Sequence, residues 1–124
     1  MASILAVDDS PSMRQLVSMT LRKAGHDVHS AEDGTDALSF AKEHGVDVVL
    51  TDVHMPNMDG ITLTAELRRL PSYRFTPILV LTTESAQEMK MRGKDAGATD
   101  WIVKPFDAEA LLRILDRVLE PKRN

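Results

Sequence analysis

The 124-residue chain contains no cysteine, which excludes a disulfide framework and any thiolate metal site. It has no stretch near the roughly 20 apolar residues that a membrane-spanning helix needs. Its start, Met1-Ala2-Ser3-Ile4-Leu5-Ala6-Val7-Asp8-Asp9, meets two carboxylates too early for a signal peptide. It has no excess of positive charge, and a net charge of −4 argues against nucleic acid as the main partner. Its histidines show no paired spacing suited to zinc. His26, His29 and His44 fall in a turn, a weak strand and a helix end, where structural or exposed roles are expected. These absences leave a soluble, cytoplasmic chain whose residues 1–124 form one domain, long enough to bury a core but too short to divide it.

What is present is an alternation. The stretch Val46-Asp47-Val48-Val49-Leu50-Thr51-Asp52 is an apolar strand ending in a carboxylate, followed by the turn-rich Val53-His54-Met55-Pro56-Asn57-Met58-Asp59-Gly60. A short apolar run bounded by turn signals reads as a strand buried on both faces, as in a parallel sheet. Ile4–Val7 is a second such run, ending in Asp8-Asp9, and Ser10-Pro11 then reads as N-cap and first residue of a helix. Met13, Leu16, Val17, Met19 or Thr20, Leu21 and Ala24 carry helical spacing up to Gly25. A weaker strand over 27–31 precedes a helix over about 36–44, with Ala37, Leu38 and Ala41 inward. A helix over about 61–70 ends at Pro71, and Tyr73 and Phe75 are expected to pack locally in the loop that follows. Ile78–Leu81 is a fourth strand leading to Thr82-Thr83-Glu84-Ser85, then a helix over about 86–96 stops at Gly97. Its inward stripe is Met89, Gly93 and Ala96, with Met91 on the opposite side. Trp101-Ile102-Val103 is a fifth strand ended by Lys104-Pro105, and Asp107 is expected to cap a last helix over 108–119. Five strand–helix alternations predict a doubly wound parallel α/β sheet with helices on both faces.

Four of the five strand ends carry chemistry: Asp8-Asp9, Asp52, Thr82 and Lys104. In such sheets the functional crevice lies outside the carboxyl ends of the strands, so these groups are expected at one rim. Three carboxylates brought together repel one another, and a hard divalent cation with oxygen ligands, Mg²⁺, resolves that conflict. A carboxylate nucleophile beside Mg²⁺ suits phosphoryl transfer, with Asp52 as nucleophile and Lys104 and Thr82 matching phosphoryl oxygens.

This set, together with Met55-Pro56-Asn57-Met58-Asp59-Gly60 and Lys104-Pro105, resembles the receiver domain of two-component response regulators. Ser10-x-x-Met13-Arg14 and Thr82-Thr83-Glu84-Ser85 look most like the single-domain chemotaxis regulators of the CheY type. The resemblance implies a five-stranded sheet in the order 2-1-3-4-5, the order the flavodoxin-like fold takes in CheY itself. It also implies that Asp52 takes a phosphoryl group from a phosphohistidine on a histidine kinase of the CheA type. Asp9 and Asp52 would then ligate Mg²⁺ directly, with the His54 backbone carbonyl as a third ligand and Asp8 acting through water. Thr82 and Lys104 would hold the phosphoryl group, and the bond before Pro105 would be cis. Thr82 and an aromatic on the fifth strand, here Trp101 in place of the usual Tyr or Phe, would form the switch, with output through the fourth helix, fifth strand and fifth helix. Thr83, His54 and Glu84 would flank the attack path and set phosphate lifetime. Output would be by protein contact of a monomer, on a flagellar motor switch or as a phosphate sink, with a phosphatase as a further partner. The alternative is an Asp-nucleophile hydrolase of the haloacid-dehalogenase type, which wants a second Asp two residues after the nucleophile. His54 occupies that position.

Overall fold

The computed structural model describes residues 2–120. Its elements are β1 (Ser3–Val7), α1 (Pro11–Lys23), β2 (Asp27–Ala31), α2 (Gly34–Glu43), β3 (Val48–Thr51), α3 (Gly60–Arg68), a 3₁₀ turn (Pro71–Tyr73), β4 (Ile78–Thr82), α4 (Gln87–Ala96), β5 (Asp100–Val103) and α5 (Ala108–Leu119). The five strands form one parallel sheet in the order β2-β1-β3-β4-β5. The expected architecture and strand order are therefore those observed.

Side chains alternate along each strand, and the two faces of the sheet bury different helices. Ile4, Ala6, Val48, Leu50, Leu79 and Leu81 pack against Val17 and Leu21 of α1 and Leu111 and Leu115 of α5. Leu5, Val7, Val49 and Ile78 face Ala37 and Ala41 of α2 and Leu63 and Leu67 of α3. With both faces covered, no residue of β3 is more than 2 % exposed, which is why its sequence reads as a continuous apolar run.

Local chemistry sets the helix starts. Ser10, Asp33 and Asp59 each accept a backbone N–H three residues on, from Met13, Asp36 and Thr62 respectively. Caps of this kind contribute about 1 kcal/mol each. Asp107 occupies the N-cap position of α5, but its side chain makes no capping hydrogen bond, so only the position matches the expectation. At the end of α4, Gly97 has φ 108°, a conformation that a side chain would strain.

Three packing expectations need correction. Leu16 and Met19 of α1 are 50 % and 56 % exposed. The apolar positions of this helix cover more than one face, and the stripe through Val17 and Leu21 is the one against the sheet. Phe75 is 85 % exposed, whereas Tyr73 is buried and donates its hydroxyl to the Ala41 and His44 carbonyls at 2.7 and 3.0 Å. Tyr73 has two acceptors to reach and Phe75 has none.

Candidate functional site

Parallel strands all point the same way, so the ends of β1, β3, β4 and β5 open onto one rim. Asp8 and Asp9 leave β1, Asp52 leaves β3, Thr82 ends β4 and Lys104 follows β5. Asp8, Asp9 and Asp52 each offer a carboxylate oxygen, and these atoms lie within 4.8 Å of one another. The Lys104 ammonium is 2.6 Å from Oδ2 of Asp8 and 3.2 Å from Oδ2 of Asp52. The structure thus brings together four of the residues singled out from the sequence.

Backbone amides aim these groups. The Asp52 N–H donates to the Val7 carbonyl, and the Val53 N–H donates to Oδ1 of Asp52 at 2.7 Å. With Oδ1 held, Oδ2 faces Lys104. The Ser10 N–H donates to Oδ1 of Asp8 at 2.9 Å, while Arg14 grips the Asp8 carbonyl at 2.7 Å. Lys104 is placed by its own N–H, which donates to the Thr82 carbonyl at 2.8 Å. The Lys104–Pro105 peptide bond is cis.

Electrostatics follow from that placement. Burial disfavours the Lys104 ammonium, but its hydrogen bond to Asp8 and the charges of Asp52 and Asp8 outweigh it, so the net shift is upward. One ammonium paired with two of three clustered carboxylates leaves an excess of negative charge at a half-buried rim. Hard oxygen donors with an excess of negative charge fit a divalent cation such as Mg²⁺.

The remaining residues form a second group beside the first. Thr82 is fully buried, and its hydroxyl oxygen accepts the Glu84 N–H at 3.3 Å. His54, two residues past Asp52, is exposed and its ring nitrogen Nε2 lies 3.0 Å from Oε1 of Glu84. That hydrogen bond, joined by the Ala86 N–H, holds the Glu84 carboxyl below the ordinary carboxylate range. The Trp101 indole N–H donates to the Glu84 carbonyl at 2.9 Å.

Several supports of the site could not be read from the sequence. The turn after Asp52 carries Asn57 at φ 67°, and its side-chain amide donates to Oδ2 of Asp33 at 2.6 Å. The Gly34 N–H donates to the Met58 carbonyl at 3.1 Å, so α2 braces the same turn. Gly60 lies against the Asp52 carbonyl so closely that a β-carbon there would collide with it. The turn itself is announced by the Val53–Gly60 stretch with its Pro56, Asn57 and Gly60, but these braces are not.

Residues 4–116 match the family model for the response regulator receiver domain. Protein PilH of Pseudomonas aeruginosa is 39 % identical over 96 % of this chain and 98 % of its own length. The structure of chemotaxis protein CheY4 of Vibrio cholerae superposes with a TM-score of 0.91 at 52 % identity, covering 96 % of this chain and 99 % of that one. The receiver domain of sensor histidine kinase PA1611 from Pseudomonas aeruginosa has a TM-score of 0.88 at 34 % identity, covering 94 % and 95 % of the two chains. Its structure holds a magnesium ion coordinated in the active-site cleft. The match is to signalling domains, not to the hydrolases weighed as the alternative. An acidic cluster at the ends of β1 and β3, a buried lysine after β5 and a family match over nearly the whole sheet agree, and the chain belongs to the response regulator receiver domains of two-component systems, similar to CheY and PilH.

Proposed function

We propose that Asp52 is the phosphoacceptor of this receiver and that it takes its phosphoryl group from a phosphohistidine on a histidine kinase. The observation that carries this reading is the placement of Oδ2 of Asp52 beside the buried Lys104 ammonium within the acidic cluster. Oδ2 attacks phosphorus, the phosphorus–nitrogen bond of the donor breaks, and the histidine nitrogen leaves with the electron pair. The product on this chain is an acyl phosphate, which water later cleaves to inorganic phosphate and the free carboxylate.

Each residue has a separate task. The Val53 N–H fixes Oδ1, so Asp52 presents a single oxygen to the donor. Lys104 moves from carboxylate to phosphoryl oxygen as charge passes to the incoming group, a role suited to a compact ammonium. Thr82 offers its hydroxyl to a second phosphoryl oxygen. Asp9, Asp52 and the His54 carbonyl would hold Mg²⁺, with Asp8 acting through water. Bound there, it would supply positive charge to the carboxylates and to the phosphoryl oxygens.

Output would pass by protein contact from the face made of α4, β5 and α5, switched through Thr82 and Trp101. The exposed Met91 beside Lys90 and Lys94 suits an adaptable contact there. The chemotaxis designation of the Vibrio cholerae relatives supports a target such as a flagellar motor switch, with a phosphate-sink role separable by capture of partners on a stable phosphoryl mimic. We place the protein in the cytoplasm as a monomer; no helix among the described residues is long and apolar enough to cross a membrane.

The test is labelling with acetyl phosphate. Acid-labile phosphate should appear only with Mg²⁺ and vanish in Asp52→Asn. Labelling that survives in Asp52→Asn would move the acceptor elsewhere.

A further inference from the structure

We propose that the side chains of His54 and Glu84 form a link between the metal site and Trp101, so that cation binding alone, before any phosphoryl transfer, reseats the indole. The inference rests on the receiver reading above, in which the His54 backbone carbonyl is a metal ligand.

Glu84 is the junction. Oε1 of its carboxylate meets the His54 ring at 3.0 Å, and Oε2 accepts the Ala86 N–H at 3.2 Å. Ala86 is the N-cap of α4 and supplies no side-chain cap of its own, so Glu84 satisfies a donor at the start of that helix. The Glu84 N–H donates to the Thr82 hydroxyl, and the Glu84 carbonyl accepts the Trp101 indole N–H at 2.9 Å. One residue therefore touches the loop after Asp52, the end of β4, the N-cap of α4 and the ring on β5.

Trp101 is placed to report any movement of that residue. Its six-membered ring packs on Gly93 in the middle of α4, where an added β-carbon would stand 2.6 Å from Cζ3. Gly93 is the only residue of α4 that is buried, so the helix is held by few contacts and shifts at little cost. A ligand that repositions the His54 main chain pulls on the ring of the same residue, and the ring is hydrogen-bonded to Glu84. The coupling must be reciprocal, so a seated Trp101 also favours the cation. The His54 side chain is 63 % exposed and that of Glu84 24 %, and the solvent around the imidazole limits the coupling to about a two- to fivefold change in affinity.

The experiment titrates Mg²⁺ into the full chain and follows both calorimetric binding and emission of Trp101, the sole tryptophan. The variants are His54→Ala, Glu84→Ala, their combination and Glu84→Gln. Alanine at 54 keeps the backbone carbonyl and cuts the link alone, whereas alanine at 84 keeps the acceptor for the indole but also removes the acceptor of the Ala86 N–H, so His54→Ala is the decisive variant. Mg²⁺ should shift emission in the wild type. Either alanine variant should lose most of that shift and weaken binding about two- to fivefold, the double variant should be no worse, and Glu84→Gln should recover part of the response. An undiminished shift in His54→Ala, additive losses in the double variant, or a silent wild-type indole would overturn the link. Acetyl phosphate labelling of the wild type separates this from the larger reading. Labelling with an unlinked or silent Trp101 removes only the link, whereas absent labelling removes the receiver assignment and the link with it.

Discussion

Lys104 lies closer to Asp8 than to the proposed acceptor Asp52, 2.6 against 3.2 Å, and both contacts are made by an ammonium whose side chain is only 8 % exposed. This positive charge offsets those of the Asp8 and Asp52 carboxylates. Removing it leaves buried negative charge without a partner, which costs about 3 kcal/mol. Lys104→Met should therefore unfold at lower urea than the wild type by an amount of that order. The same variant should bind Mg²⁺ more tightly, because the cation no longer competes with the lysine, and saturating Mg²⁺ should restore more stability to the variant than to the wild type. Equal stabilisation of both proteins by Mg²⁺ would show that lysine and cation do not share the same carboxylates.

The upward shift at Lys104 gives an alkaline signature in the metal-free protein. A group whose folded pKa is raised binds its proton more tightly in the folded state. Its contribution is fully present below the unfolded value of 10.5 and is lost as pH rises through the higher folded value. Tyr73, raised by burial, loses stability in the same region. The comparison is therefore made in a Tyr73→Phe background, where urea midpoints above about pH 10.5 should fall with Lys104 present and flatten with Lys104→Met.

The rim was legible in the sequence because strand ends are local features. An apolar run that stops at Asp52 or at Thr82 announces both the strand and its exit, and a parallel sheet collects the exits. What stayed hidden depends on residues distant in sequence coming into contact. Asn57 donates to Asp33, 24 positions away, and the Gly34 N–H donates to the Met58 carbonyl across an equal span. Neither partnership leaves a periodic trace. The exposure of Leu16 and Met19 was hidden for another reason: helical spacing names several candidate stripes, and only the position of the sheet selects one. The family resemblance puts Glu84 beside the attack path, yet the hydrogen bond of its carbonyl with the Trp101 indole depends on how β5 lies beside β4.

Gly93 and Trp101 form a packing pair that can be tested through the indole. Alanine at 93 gains helix propensity worth about 1 kcal/mol. Its β-carbon, however, would stand 2.6 Å from Cζ3 of Trp101, so the ring must move or α4 must shift away from β5. The two effects oppose each other in stability, and only the clash acts on the indole. Gly93→Ala should change the unfolding midpoint by less than about 1 kcal/mol while moving Trp101 emission toward that of an exposed indole. Unchanged emission would mean that the helix, not the ring, gives way.

Gly60 controls the exit from β3 more rigidly. It opens α3, its N–H donates to the Val53 carbonyl at 2.8 Å, and it is pressed against the carbonyl of Asp52. A side chain on a flexible neighbour can turn aside, but here the obstacle is backbone held between β1 and α3. Gly60→Ala must push the Asp52 peptide out of place, and overpacking of this kind costs about 1–3 kcal/mol. The displacement falls on the residue that carries the proposed chemistry, so the variant should also lose Mg²⁺ affinity and acetyl phosphate labelling at temperatures where it remains folded. Gly45 supplies the control. An added β-carbon there meets nothing within 4 Å, and Gly45→Ala should leave both binding and labelling unchanged while altering stability by about 0.5 kcal/mol at most. If Gly60→Ala labels as well as Gly45→Ala, the close approach of α3 to Asp52 does not position the acceptor.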